Sequence, residues 1–249
     1  MNDQANSLSG SVAWITGAGG GMGEAIAMRL SGSGACLILN DLQSEKVERV
    51  AGDIASRGGK VSVLAGDLRD PDVARRTGSL ITGQYGRLDL LVNCAGFNIA
   101  RRRWSELQAE DAAAVIATNL TAMFNTVIVA LPIMRARKSG TLVHISSTDG
   151  WRIGLTGGPA YSASKHGVVS LSHTLNLEEA ANGIRSCVLC PGGADTDFLN
   201  QRATPPSAEK RALLLRPSDI ADLVHYVVSA PAHVRFDQVI MTPIGGSSA

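Results

Sequence analysis

Tyr161 and Lys165 stand four residues apart in the stretch PAYSASKHG, with Ser147 fourteen residues upstream of the tyrosine. On a helix, positions i and i+4 share a face with their side chains about 5–6 Å apart, so this spacing sets an ammonium beside a phenol. A phenol with its ordinary pKa near 10 is a poor proton carrier at neutral pH; a neighbouring cation favours phenolate and draws it toward the working range. Such a pair can exchange a proton with a substrate oxygen, and a serine hydroxyl can stabilise the charge that develops there. The same residues also form ordinary polar helix turns, so the pair gains meaning only from what accompanies it.

A second chemistry-bearing stretch is ITGAGGGMGEAIAMRL, residues 15–30, with five glycines between an apolar run and a helix-like segment. That is where a phosphate meets the positive end of a helix. The spacing Gly-x-Gly-x-x-Gly fails at Met22, whereas Gly17, Gly21 and Gly23 fit a Gly-x-x-x-Gly-x-Gly pattern. No Lys-Ser or Lys-Thr follows the last glycine, which excludes a P-loop. Further on, CLILND ends in Asp41, placed to hold the ribose hydroxyls of an adenosine. Its carboxylate repels a 2'-phosphate and no basic residue adjoins it in LNDLQSE, so the sequence favours NAD over NADP. The competing reading of Asp41 is a helix cap for the segment that follows.

The elements that must carry these residues alternate. Apolar runs at 12–16, 36–40, 61–66, 88–93, 141–146, 184–190 and 238–242 read as strands buried on both faces. Helix-length segments lie at 22–32, 43–57, 71–84, 105–137 with a break, 160–181 and 218–229. This order predicts one α/β domain over 1–249, a doubly wound, seven-stranded parallel sheet with helices on both faces. The segment RATPPSAEKR is the strongest loop signal, and a substrate lid is expected around 195–215.

Together, the glycine turn, Asp41 and Tyr161-x-x-x-Lys165 resemble the classical short-chain dehydrogenase/reductase family, and the match runs along nearly the whole chain. GDL at 66–68, NCAG at 93–96, TNL at 118–120, SSTDG at 146–150 and PGGADT at 191–196 agree with family motifs in order and spacing. The resemblance implies a Rossmann fold and an NAD-dependent alcohol dehydrogenase or carbonyl reductase with a catalytic quartet of Asn119, Ser147, Tyr161 and Lys165. In that reading Tyr161 is the acid/base, Ser147 a donor to the substrate oxygen, and Asn119 the holder of a water that links Lys165 to solvent. It implies cofactor contacts at Gly17, Gly21, Met22, Gly23, Asp41, Asp67, Leu68, Asn93, Ala95, Gly96, Pro191, Gly192 and Thr196, besides Tyr161 and Lys165. Pocket candidates by resemblance are Phe97, Asn98, Asp149, Trp151, Ile153, Gly193, Phe198 and Leu199. The tail TPIGG departs from the family's usual Val-Asp-Gly-Gly. Two other classes stay open: a non-catalytic NAD(H)-binding regulator, and a sugar-nucleotide epimerase, for which the chain is short of a substrate domain.

Bulk properties narrow the partners. With 23 Lys and Arg against 22 Asp and Glu there is no global field for nucleic acid or an anionic membrane. The polar N-terminus lacks the blocks of a signal peptide and no apolar run approaches a membrane span, so a cytoplasmic protein acting on a small molecule is expected. Cys187 and Cys190 have redox spacing, but on a strand such positions face opposite sides. His166 and His173 lack further ligands for a metal. Asp149 is either a solvated loop acid or a contact for a substrate hydroxyl or cation, and Arg101–Arg103 either a solvated loop or an attractor of a carboxylated substrate. Homo-oligomers, tetramers above all, are a family expectation, with Val127, Ile128 and Leu131 as outward apolar residues.

Overall fold

The computed structural model describes residues 7–202 and 204–244; Gly245 in the divergent tail lies outside them. Seven strands form one parallel sheet in the order β3-β2-β1-β4-β5-β6-β7. They are β1 (Val12–Thr16), β2 (Cys36–Asn40), β3 (Val61–Val63), β4 (Leu90–Asn93), β5 (Gly140–Ile145), β6 (Ile184–Pro191) and β7 (Gln238–Met241). The helices are α1 (Gly21–Ser31), α2 (Ser44–Ser56), α3 (Pro71–Tyr85), α4 (Ala109–Ile116), α5 (Ala122–Arg135), α6 (Pro159–Glu179), α7 (Ala208–Arg211) and α8 (Pro217–Val228). The chain leaves β1 for β2 on one side and returns to place β4 on the other. The crevice between β1 and β4 is therefore the point where a doubly wound sheet binds its ligand.

Strand alternation sorts the core into two layers. Ala13 and Ile15 of β1 pack with apolar residues of α1, α2 and α8, while Val12 and Trp14 pack with those of α3, α5 and α6. Both faces are covered, which is why the strands read as unbroken apolar runs. The same alternation separates Cys187, in the first layer, from Cys190, in a smaller cluster with Met123 and Val168. Both thiols are free, and burial pushes Cys187 up to about 12, which removes the chemical basis of a redox pair.

The break expected within 105–137 is a π-helical turn, Ala117–Thr121, joining α4 to α5. The helical stretch Ala109–Arg135 thus runs on as one rod, long and apolar enough by composition to cross a membrane, contrary to the sequence expectation. Here its inner face closes on the sheet, with Asn119 and Thr126 fully buried in its middle. Val127 points into this core rather than outward, because it lies on the inner stripe with Met123 and Ala130. The exposed apolar residues of the rod are Ile116, Phe124 and Ile128, at intervals of a helical face.

Packing of α3 on α5 is close at Gly78, where an added Cβ would lie 2.4 Å from Val129 Cγ1. Gly83, one turn further along α3, faces open space. Gly78→Ala will therefore destabilise the fold by about 1–3 kcal/mol through overpacking against a stiff β-branched side chain. Gly83→Ala will stabilise it by about 0.5–1 kcal/mol through helix propensity. Paired urea melts check both, and equal shifts for the two substitutions would contradict the packing.

Candidate active site

A cleft of about 740 Å³ opens at the C-terminal edge of the sheet, lined from Gly17 at one end to Arg202 at the other. At the first end, β1 passes into α1 through Gly17 and Gly21, both with left-handed backbones, φ +65° and +54°. A Cβ on Gly17 would lie 2.7 Å from the Ala95 backbone, and one on Gly23 only 2.0 Å from the Gly17 carbonyl oxygen. These two glycines let the strand ends and the first helix turn meet. Gly20, the N-cap of α1, has nothing within 4 Å of a built Cβ, and no side chain caps the helix. The first amides of α1 are thereby left facing the cleft, as an anion cradle requires.

Asp41 ends the second strand and lines the same end. Its Oδ2 accepts the Gly19 N–H at 2.9 Å and its Oδ1 accepts the Gln43 N–H at 2.9 Å. The bond to Gly19 fixes the carboxylate against the glycine turn, and the bond to Gln43, itself the N-cap of α2, shapes the turn ahead of the helix without capping it. Lys46, on the first turn of α2, lines this end too, a basic residue that the local stretch LNDLQSE did not disclose. Asp67 is held by Arg69, with Arg69 Nε at 2.8 Å, which keeps its carboxyl below the usual range. Leu68 is buried beside it, and its carbonyl accepts Asn125 Nδ2 at 2.9 Å.

Cys94, Ala95 and Gly96 line the middle of the cleft, whereas Asn93 does not. Asn93 lies on β4 with its amide turned into the core, accepting from Thr126 at 2.8 Å and meeting His144 Nδ1 at 3.2 Å. Its side chain is therefore turned away from the cleft, contrary to the expectation of a direct cofactor contact. His144, fully buried with Nε2 unpartnered, is pushed down to about 3 and is neutral. A residue the sequence reading missed is Thr16, whose hydroxyl accepts from both Cys94 N and Ala95 N, at 3.1 and 3.2 Å.

Three of the quartet, Ser147, Tyr161 and Lys165, line the cleft; Asn119 sits just behind it. Gly158, φ +79°, and Pro159 at the first helical position start α6 so that Tyr161 falls in its first turn. Lys165 Nζ is buried 5.6 Å from the Tyr161 ring centre and donates to the Ile145 carbonyl at 2.9 Å. Ser147 accepts the Asp149 N–H at 3.1 Å, leaving its own O–H to donate. Asn119, in the π-turn, accepts Phe97 N at 2.9 Å and donates to Phe97 O at 3.0 Å and to Ser164 Oγ at 3.2 Å. Both amide protons go to protein groups, so only a lone pair of Oδ1 is left for a water. A Cβ on Gly96 would lie 3.2 Å from that Oδ1 and 3.5 Å from Lys165 Nζ.

The electrostatics reverse the simple expectation for the pair. Burial pushes the Tyr161 phenol up to about 12, against the pull of Ser147, Arg102 and Arg202, and pushes Lys165 down to about 8. The tyrosine ring is only half-buried, yet the whole cleft floor around it is protein. Desolvation disfavours each charged form and, on the phenol, outweighs the pull of Ser147 and the two arginines. At neutral pH the pair holds a protonated phenol beside an ammonium.

At the substrate end Phe97, Asn98, Asp149, Ile153, Gly193, Phe198 and Leu199 line the cleft with Pro191, Gly192 and Thr196. Trp151 is the exception: its ring turns out, 48% exposed, beneath Arg152 at 5.2 Å. Phe198 lies 6.0 Å from the Tyr161 ring, so the segment after β6, within the stretch 195–215, packs against that side chain. Thr196 also spans back to the glycine turn, 3.2 Å from a Cβ on Gly21. Asp149 is half-buried rather than solvated, with Oδ1 accepting Gly154 N at 3.1 Å, and burial raises its pKa.

A family model described as short chain dehydrogenase matches residues 11–206. An uncharacterised oxidoreductase of Staphylococcus aureus (strain MW2) is 30% identical over 237 residues, 95% of this chain and 99% of its own. One of Bacillus subtilis is 35% identical over 77% of this chain and 74% of its own. Among solved structures, an alcohol dehydrogenase of Thermococcus sibiricus complexed with 5-hydroxy-NADP superimposes with a TM-score of 0.85 at 25% identity, covering 95% of this chain and 97% of that one. A metagenomic short-chain oxidoreductase in complex with NADP gives 0.83 at 30% identity, covering 96% and 100%. Fold, cleft and matches agree, and the chain belongs to the short-chain dehydrogenase family.

Proposed function

We propose that the protein is an NAD(H)-dependent oxidoreductase that moves hydride between the nicotinamide and a secondary alcohol or ketone, with Tyr161 as general acid/base. The observation that carries this reading is the convergence of Ser147, Tyr161 and Lys165 on the same cleft as the uncapped start of α1. The residues present fit a dinucleotide: a glycine turn with an open Gly20, a carboxylate at Asp41 for ribose hydroxyls, and Gly96 small enough to expose Lys165. Bound there, nicotinamide dinucleotide gives hydride to a carbonyl carbon or takes it from a carbinol carbon. Support for a nicotinamide cofactor comes from the NADP-type ligands of the two structural neighbours. Asp41 argues for the form without the 2'-phosphate.

In reduction Tyr161 passes its phenolic proton to the substrate oxygen as the C–H bond forms. Ser147 donates a second hydrogen bond to that oxygen and stabilises its developing charge. Lys165 stabilises the phenolate left behind and returns a proton to it, with the lone pair of Asn119 Oδ1 beside it to hold a water. Oxidation runs the same path backward. The same reading assigns Ile116, Phe124 and Ile128 to a contact between subunits of a homo-oligomer.

Tyr161→Phe is expected to lower kcat by about 10²–10⁴, the usual contribution of a positioned acid, while NADH still binds. A lysine lowered to about 8 is charged below that pH and neutral above it. Carbonyl reduction should therefore hold level below about pH 8 and fall above it, and a profile that stays flat well into the alkaline range would remove Lys165 from the mechanism.

For the cofactor, kcat/KM should favour NAD over NADP by more than about tenfold, a difference of roughly 1.4 kcal/mol. Asp41→Ser should erase that preference, because Lys46 then faces a 2'-phosphate without the opposing carboxylate. A wild-type preference for NADP would overturn the assignment of NAD.

A further inference from the structure

Of the three consecutive arginines, only Arg102 lines the cleft; Arg101 and Arg103 face solvent. Its place is built by the wall opposite. Gly158 comes so close that an added Cβ would lie 2.3 Å from the Arg102 carbonyl oxygen and 2.9 Å from Arg102 Cβ. The guanidinium then spans the cleft mouth, donating at 3.3 Å to Thr156 O on the wall and at 3.3 Å to Gln201 O on the lid. A guanidinium has five N–H donors, so these two long bonds orient it without saturating it.

Arg202, the next residue on the lid, lines the same space. It is close enough to Arg102 to disfavour the charge of that guanidinium, and both act on Tyr161. Among the described residues neither arginine has a carboxylate within ion-pair distance. The carboxylates lining this end are Asp149, engaged with Gly154 N, and Asp197, which accepts Asn200 Nδ2 at 3.3 Å. Arg102, Arg152 and Arg202 against Asp149 and Asp197 leave one positive charge in excess. That balance suits one carboxylate better than a phosphate of charge about −1.5 to −2. Each guanidinium is a planar fork of N–H donors that matches the two oxygens of a carboxylate, and both line this end of the cleft.

We propose that Arg102 and Arg202 form a carboxylate clamp at the substrate end of the cleft, which makes the substrate an oxo acid or hydroxy acid rather than a neutral ketone or alcohol. The clamp rests on the oxidoreductase reading for its chemistry but not for its binding, and the two separate in the test. Wild type, Arg102→Met, Arg202→Met and Arg101→Met are assayed with NADH and NADPH on 2-oxo, 3-oxo and 4-oxo acids and on their methyl esters. For at least one oxo position the acid should be preferred over its ester, chiefly through KM. Arg102→Met and Arg202→Met should each lower that acid-to-ester ratio roughly 10- to 100-fold, the size of a charge-assisted hydrogen bond. Arg101→Met, in solvent, should leave the ratio where it was. Because Arg102 also ties wall to lid, Arg202→Met decides the matter if Arg102→Met fails to fold. Esters used as well as acids throughout, or a ratio that neither folded variant moves, would overturn the clamp. If no compound turns over, quenching of bound NADH fluorescence by the acids still decides: Arg202-dependent binding upholds the clamp while the oxidoreductase reading fails, and no binding removes both.

Discussion

The C-terminal end of this sheet around Ser147 and Tyr161 is organised around one buried ammonium. Lys165 Nζ reaches the Ile145 carbonyl at the end of β5, and its own backbone carbonyl accepts the Ser146 hydroxyl at 2.9 Å. For this to happen α6 must lie almost in backbone contact with the turn that carries Ser147, and Gly150 permits it, since a Cβ there would fall 2.6 Å from the Lys165 carbonyl oxygen. On the other side Gly96 leaves room for Nζ and for Asn119 Oδ1 at once. Ser164 completes the brace, donating to Tyr161 O at 2.7 Å while accepting from Asn119. Burying a lysine is costly without partners; here the Ile145 carbonyl offsets part of that cost, and Gly96, Gly150 and the small hydroxyls let the chain close around the ammonium.

This explains what was legible in the sequence. Strand runs such as VAWIT and CLILN are buried on both faces and announce themselves by composition, and the glycine turn is visible because only glycine tolerates the backbone of Gly17 and Gly21. Tyr161 and Lys165 are legible because helical spacing alone makes them neighbours. Asn119 was found through its motif, but its partners Phe97 and Ser164 lie 22 and 45 residues away and have no local signature. Thr16 was missed for the same reason: a threonine ending a strand looks like any other, and its two amide partners come from the loop after β4. Trp151 was misplaced because a turn of 3-10 helix over Thr148–Gly150 rotates the chain after Ser147, which motif spacing does not encode.

The two ends of the cleft are built differently. At the cofactor end positions are set by backbone contacts, Gly17 on Ala95 and Gly23 on Gly17, which leave little freedom for side chains. At the substrate end they are set by long side chains crossing between loops, as Arg102 does from wall to lid. A fixed dinucleotide cradle and an adjustable mouth are what one family needs to keep its chemistry while changing its substrates. Ile153, apolar and exposed at the mouth, belongs to this adjustable part.

The arginines at the mouth also enter the acid/base balance. Arg102 and Arg202 both favour the phenolate of Tyr161, opposing the burial that keeps it protonated. An anion seated between them cancels that pull by the same Coulomb interaction that binds it. Its arrival therefore raises the phenol's hold on its proton, just when an oxygen arrives to receive it in reduction. In the oxidising direction the same anion strengthens Tyr161 as a proton acceptor but works against forming the phenolate beforehand, a task left to Lys165 and Ser147. On the proposed reading, substrate charge and proton transfer are thus coupled through two side chains that lie away from the glycine turn, by the Coulomb pull both exert on Tyr161.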